Sequence, residues 1–243
     1  MSQFNLMDAR LKLERAREHI LDVERAVENL TAPELYKISI KRDEGPYLSV
    51  DFESLHDEGQ YLSTIIGDAI GNLRSSLDYL MGAVVKPLGG NPAKVTFPFA
   101  DNEKGFKGEV RAPPLFLTPD LIAIFDKIEA YEGGAGRNLW AVNKLRNIDK
   151  HRLLVTINHL AGIKASWRVG SSTFTDCSIW VEAGKQGKAI KAPAANFEFT
   201  SEPAPVFQVV FDEPCVTSFT EVGPFLHLAA RDIDSLLQSL EKV

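Results

Sequence analysis

Side chains that could do chemistry are concentrated in residues 139–152, LWAVNKLRNIDKHR. Within this segment, Arg146, Asn147 and His151 bring a guanidinium, an amide and an imidazole into six consecutive positions. An imidazole titrates near neutral pH, and a guanidinium forms paired hydrogen bonds with phosphate oxygens. The two groups together can drive phosphodiester transfer without a metal ion.

The same segment is locally cationic within an acidic protein. Residues 137–152 contain five Lys and Arg side chains and one carboxylate, whereas the whole chain has a net charge of -6. A local cationic patch suits a ligand that bears phosphate or carboxylate groups, and RNA is one such ligand. The alternative is structural, because cations near the C-terminal end of a helix stabilise its dipole and can pair with nearby acidic helices. Both alternatives remain open at this point.

The order Arg146-Asn147, three residues, His151 resembles the R-x(4–6)-H motif of HEPN-family helical domains. A polar residue often follows the arginine in that motif. Many members of the family look like metal-independent endoribonucleases of toxin and defence systems. The resemblance implies that Arg146 holds the scissile phosphate, that His151 acts as general acid or base, and that Asn147 orients them. It also implies a homodimer whose two motifs meet in one cleft.

Residues 146 and 151 stand five positions apart, which corresponds to about 140° around a regular α-helix. The two side chains therefore reach one cleft only if the end of the helix is distorted.

A wider pattern extends the candidate site to a second predicted helix. The segments NLRSSLDYLM (72–81), FPF (97–99) and RNIDKHR (146–152) resemble a group of bacterial proteins to which no activity is assigned. In that architecture Arg74, Asp78, Arg146, Asp149 and His151 would meet between the two helices. The supporting polar cluster around the motif consists of Arg74, Asp78, Asp149, Lys150 and Arg152. The alternative to catalysis is a non-enzymatic binding or structural protein, in which this polar network fastens the helices together.

Three glycines, Gly133, Gly134 and Gly136, precede the cationic segment. A glycine-rich loop before a helix can bind an anion through free backbone N–H groups. The spacing matches neither the P-loop nor the dinucleotide fingerprint. A plain linker between two helices is the alternative.

The composition favours a soluble cytoplasmic protein without a metal or cofactor. No apolar run approaches the length needed to span a bilayer, and the charged N-terminal segment lacks the apolar core of an export signal. Cys177 and Cys215 are the only cysteines of the sequence, and they form no CxxC or Cys/His pattern of a metal site. We therefore expect reduced thiols, no cofactor and no membrane partner.

Apolar residues spaced three and four apart predict helices over 5–30, 57–85, 118–131, 138–151 and 224–240. Gly67 and Gly71 lower the helix propensity of the second of these, so the close approach of another helix is expected there. A long loop with a short strand at 95–97 is predicted over 86–114.

Alternating residues predict a hairpin from 35–42 and 46–53, and further strands at 153–157, 163–169, 178–182, 196–200, 206–211 and 216–221. The predicted fold class is α+β. It consists of a helical bundle (1–152 and 222–243), a long loop and an antiparallel β-rich section (153–221) before the last helix. We expect residues 1–243 to form one compact unit.

Overall fold

The fold is α+β, as predicted, in a computed structural model that describes residues 4–30, 36–42, 47–54, 59–113, 115–151, 155–182, 192–193, 196–218 and 220–243. These ranges contain six α-helices: α1 (Met7–Leu30), α2 (Gly59–Val85), α3 (Glu103–Val110), α4 (Pro119–Asp126), α5 (Arg137–His151) and α6 (Val222–Leu240).

Two antiparallel sheets accompany the helices. The described strands are β1 (Tyr36–Arg42), β2 (Tyr47–Ser54), β3 (Ile157–Val169), β4 (Ser172–Glu182), β5 (Ala192–Pro193), β6 (Phe197–Phe199) and β7 (Ala204–Phe211). The first sheet has the order β1-β2-β5, so the predicted hairpin is confirmed. In the second sheet, β3 pairs with β4 along one edge and with β6 and β7 along the other.

Helices α1, α2 and α6 form the centre of the bundle. Their apolar residues recur at helical spacing and pack inward, so that Leu13, Leu73 and Ile233 are fully buried. The buried hydroxyl of Ser76 on α2 donates a hydrogen bond to the Ala9 carbonyl of α1, at 2.8 Å. The C-terminal helix therefore returns to the N-terminal bundle, as the pattern of its apolar residues predicts.

Strand β7 connects the second sheet to the bundle. The ring of Phe211 at the end of β7 meets the ring of Phe225 on α6 edge-on, with centroids 5.2 Å apart. Val209 and Phe211 belong to the same buried apolar cluster as the helices. Aromatic and aliphatic burial thus attaches the sheet to α6. The organisation of the whole chain as one unit stays a prediction.

The loop predicted over residues 86–114 contains helix α3, which the sequence pattern did not predict. No strand forms at residues 95–97, which are irregular. Instead, Asn102 caps α3 by accepting a hydrogen bond from the Gly105 N–H at 2.9 Å. Gly105 and Gly108 lower helix propensity within α3, and burial of Phe106 and Val110 compensates.

The predicted end of helix α4 and one predicted strand are also wrong. Helix α4 ends at Asp126 and not near Tyr131, because its last turn tightens and Glu129 then adopts a left-handed backbone with φ of 52°. The described residues of the predicted strand at 216–221 form a bend, a turn and irregular backbone, and among them only Glu221 forms a bridge, with Val210. The predicted strand at 153–157 falls partly outside the described residues, and β3 begins at Ile157.

Candidate functional site

An ion pair on α5 packs against the two glycines of α2. Nη1 of Arg146 donates to Oδ2 of Asp149 at 2.6 Å. A Cβ added at Gly67 would lie 2.5 Å from Oδ1 of Asp149, and one added at Gly71 would lie 3.5 Å from Cζ of Arg146. The close helix approach predicted for these glycines is confirmed. Gly67 leaves the space that the Asp149 carboxylate fills.

A second polar group lies further along the same face of α2. Nε of Arg74 donates to Oδ1 of Asn143 on α5 at 2.8 Å, and its guanidinium lies 4.8 Å from the centroid of the Phe99 ring. Arg74 also forms an ion pair with Asp78, whose Oδ1 accepts the backbone N–H of Phe97 at 3.0 Å. These contacts connect α2, α5 and the FPF segment, and they bury the Arg74 side chain to 13% exposure.

Sequence reasoning singled out the four charged residues of these two groups, the two glycines and the FPF segment that contains Phe99, but it missed Asn143. Asn143 stands three positions before Arg146, so both project toward α2. That spacing was the available signal for Asn143. The position of Phe99 over Arg74 depends on the path of the loop and has no signal in the local pattern.

The remaining motif residues are distributed differently. Asn147 and Lys150 are exposed. Arg152 and the side chain of His151 lie outside the described residues. The backbone of α5 continues as α-helix through His151, so residues 146 and 151 stand about 140° apart around its axis. The distortion that would bring both to one face is not found in the described backbone of this helix.

The glycine-rich loop before α5 uses its N–H groups internally. The N–H groups of Gly134 and Gly136 donate to the carbonyls of Tyr131 and Glu129, at 3.1 and 3.2 Å. The N–H of Ala135 donates to the Glu129 carboxylate at 3.0 Å, where a bound anion would otherwise approach.

Cβ atoms at Gly134 and Gly136 would lie 2.1 and 2.2 Å from backbone carbonyl oxygens, so the chain passes close to itself. Nothing lies within 4 Å of a Cβ at Gly133. This arrangement favours the linker alternative over an anion site at Gly133, Gly134 and Gly136.

Cations in the first half of α5 are also engaged. Nη1 of Arg137 donates to the Thr217 hydroxyl at 2.6 Å. Nζ of Lys144 lies 2.7 Å from Oδ1 of Asp101, which also accepts Nε1–H of Trp140 at 3.3 Å. Lys144 and then Trp140 hold the pKa of the Asp101 carboxyl below its usual value. The local positive charge is therefore partly used within the protein, as the structural alternative requires.

The described residues contain no group of three or more His, Cys, Asp or Glu side chains arranged to hold a metal ion. Among the helices of those residues, none has the length and apolar character that a membrane span requires. Comparison of the chain with protein-family models, with curated proteins and with solved structures gives no significant match. The functional argument therefore depends on the geometry of these side chains.

Proposed function

We propose that this protein is a non-enzymatic binding protein, in which the Arg and Asp side chains between α2 and α5 fasten the two helices. The proposal is carried by the position of the Asp149 carboxylate. It fills the space over Gly67 and accepts a hydrogen bond from the Arg146 guanidinium. An arginine that grips a phosphate must offer its N–H groups to the ligand. Here a carboxylate on the same helix already takes one of them.

The energetics agree with a fastening role. Two glycines within a helix each lower its stability by about 1 kcal/mol relative to alanine. Hydrogen bonds to charged groups return about 1.5–3 kcal/mol, and a pair that is partly exposed returns less. Asp149 is 16% exposed and Arg146 is 38% exposed, so this pair lies between a surface pair and a buried one. The ion pair therefore offsets part of the roughly 2 kcal/mol that the two glycines lose.

A second candidate function is a metal-independent endoribonuclease of the HEPN type. One observation favours it: the Arg146 side chain keeps 38% of its surface exposed beside the exposed Asn147, so a phosphate can approach from solvent. In this candidate Arg146 binds the phosphate, His151 transfers the proton and Asn147 orients them. Asp149 must swing away, and a homodimer would bring two motifs to one RNA. Lys150 and Arg152 would add local positive charge.

The test is an RNA cleavage assay with the full chain in EDTA. Single-stranded RNA is incubated with wild type and with H151A, R146A and D149A, and with K104A as a control at an exposed position on α3. A binding protein leaves the RNA intact, while R146A and D149A lower the free energy of unfolding by about 1–2 kcal/mol. EDTA-resistant cleavage that H151A abolishes, with its stability within about 0.5 kcal/mol of wild type, would overturn this proposal in favour of the ribonuclease.

A further inference from the structure

A groove of about 710 Å³ lies away from the Arg146–Asp149 pair. Its lining comes from the C-terminal half of α2, from Asn5 and the first turn of α1, and from the two short 3-10 helices that follow α2. The volume lies within the range of about 300–1,000 Å³ that is typical of small-molecule sites. The structure thus has an open concave surface whose size suits an organic ligand.

The lining is mostly apolar, and one missing side chain keeps it open. Ala83, Pro87, Pro92 and Val95 contribute apolar surface. Gly82 lies directly beside Pro92 in the wall of the groove, and a Cβ added there would lie 3.4 Å from the Cβ of Pro92. Any side chain longer than alanine at position 82 would therefore occupy the space.

The polar groups of the groove favour a cation. Asp8 and Asp78 both line it, and Asp8 is exposed. Asp78 is held in place because its Oδ1 accepts a hydrogen bond from the Phe97 N–H and forms an ion pair with the Arg74 guanidinium. Neither contact uses Oδ2 of Asp78. The Tyr79 ring, which is 48% exposed, adds an aromatic face of the kind that attracts ammonium groups.

We infer that this groove binds a hydrophobic organic cation, with an apolar body against Gly82 and Pro92 and an ammonium group directed to Asp8, Asp78 and Tyr79. The inference names a ligand class for the proposed binding function. Lys86, the cation of the lining, opposes such a ligand, but its flexible stem can carry the charge toward solvent. The Arg74 guanidinium balances the charge of Asp78 from outside the lining, so the attraction for the ammonium comes from the Asp8 carboxylate, from Oδ2 of Asp78 and from the Tyr79 ring.

The experiment measures the affinity of the full chain for three indoles of similar size by titration calorimetry. Tryptamine carries an ammonium group, tryptophol replaces it with a neutral hydroxyl, and indole-3-acetate carries a carboxylate. We expect tryptamine to bind about tenfold more tightly than tryptophol, because only the ammonium adds charge–charge and cation–π attraction to the hydrogen bond that either group can donate. Indole-3-acetate should bind more weakly than either.

Variants locate the site. D8N should bring the affinity for tryptamine toward that for tryptophol, K86Q should raise it, and G82L should abolish binding of both. G108L is the matched control, because Gly108 also lies in a helix and a Cβ there meets nothing within 4 Å.

No binding of tryptamine at millimolar concentration, equal affinity for tryptamine and tryptophol, or full binding by G82L would each overturn the inference. The unfolding free energies of R146A and D149A test the α2–α5 fastening, and the RNA assay tests the ribonuclease alternative. Both are independent of indole binding, so the two failures are distinguishable.

Discussion

Exchanging Gly67 for alanine tests whether the Asp149 carboxylate really occupies the space between α2 and α5. In an open helix this substitution gains about 1 kcal/mol of stability. At Gly67 the new Cβ would stand 2.5 Å from Oδ1 of Asp149, which is closer than two non-bonded atoms can lie. Asp149 must therefore rotate and release Arg146. The lost hydrogen bond and the repacking cost about 2 kcal/mol, so we expect a net loss of about 1 kcal/mol.

Gly71 provides the matched control one turn further along α2. A Cβ there would meet Cζ of Arg146 at 3.5 Å, which is an ordinary van der Waals contact. G71A should therefore stabilise the protein by up to about 1 kcal/mol, since only the propensity gain remains. The two alanine substitutions are chemically identical, and their opposite signs would come from the position of Asp149 alone.

A double-mutant cycle separates the clash from other effects of the substitution. In a D149A background nothing fills the space over Gly67, so G67A should gain about 1 kcal/mol there, giving a coupling of about 2 kcal/mol. Urea unfolding followed by far-UV circular dichroism, with midpoints compared at a common slope, measures each free energy. Equal stabilisation by G67A and G71A in the wild-type background would refute the reasoning.

Two further predictions concern titrating groups. Arg111 donates to both oxygens of Asp126, at 2.9 and 2.6 Å, and so holds the pKa of that carboxyl below its usual value. Stability from this pair is present above the unfolded-state pKa and is lost as pH falls through the folded-state pKa. D126N should therefore lower the urea midpoint at pH 7 but not at about pH 2, and an equal difference between variant and wild type at both pH values would contradict this. Burial raises the pKa of the Cys215 thiol to about 11. Its rate of alkylation by iodoacetamide, followed by mass spectrometry, should therefore rise with pH up to that value, and a plateau near pH 9 would exclude the shift.

Helical periodicity predicted most of the bundle because burial selects apolar residues at every third or fourth position. Leu73, Leu77 and Leu80 carry this pattern in α2, and all three are fully buried. The hairpin was equally predictable from alternation around a turn. The glycine pair predicted a close helix contact, since a costly residue within a helix needs a packing reason.

The particular partners of most long-range contacts were not predictable. Helix α3 carries two glycines and is held by burial of Phe106 and by the Asn102 cap, so its local pattern looks like a loop. The partner of Lys144 is Asp101, far away in sequence. Charge counting identified the cations of α5 correctly, but only tertiary structure determines which carboxylates neutralise them.

The position of α6 has a consequence for synthesis of the protein. Helix α6 packs on α1, α2 and α5, and the second sheet separates it from α5 in the chain. During translation the apolar faces of α1 and α2 must wait for the ribosome to complete this intervening segment, an interval on the order of ten seconds. Nascent chains of this protein therefore expose apolar surface to aggregation, and to chaperones, until the last helix emerges.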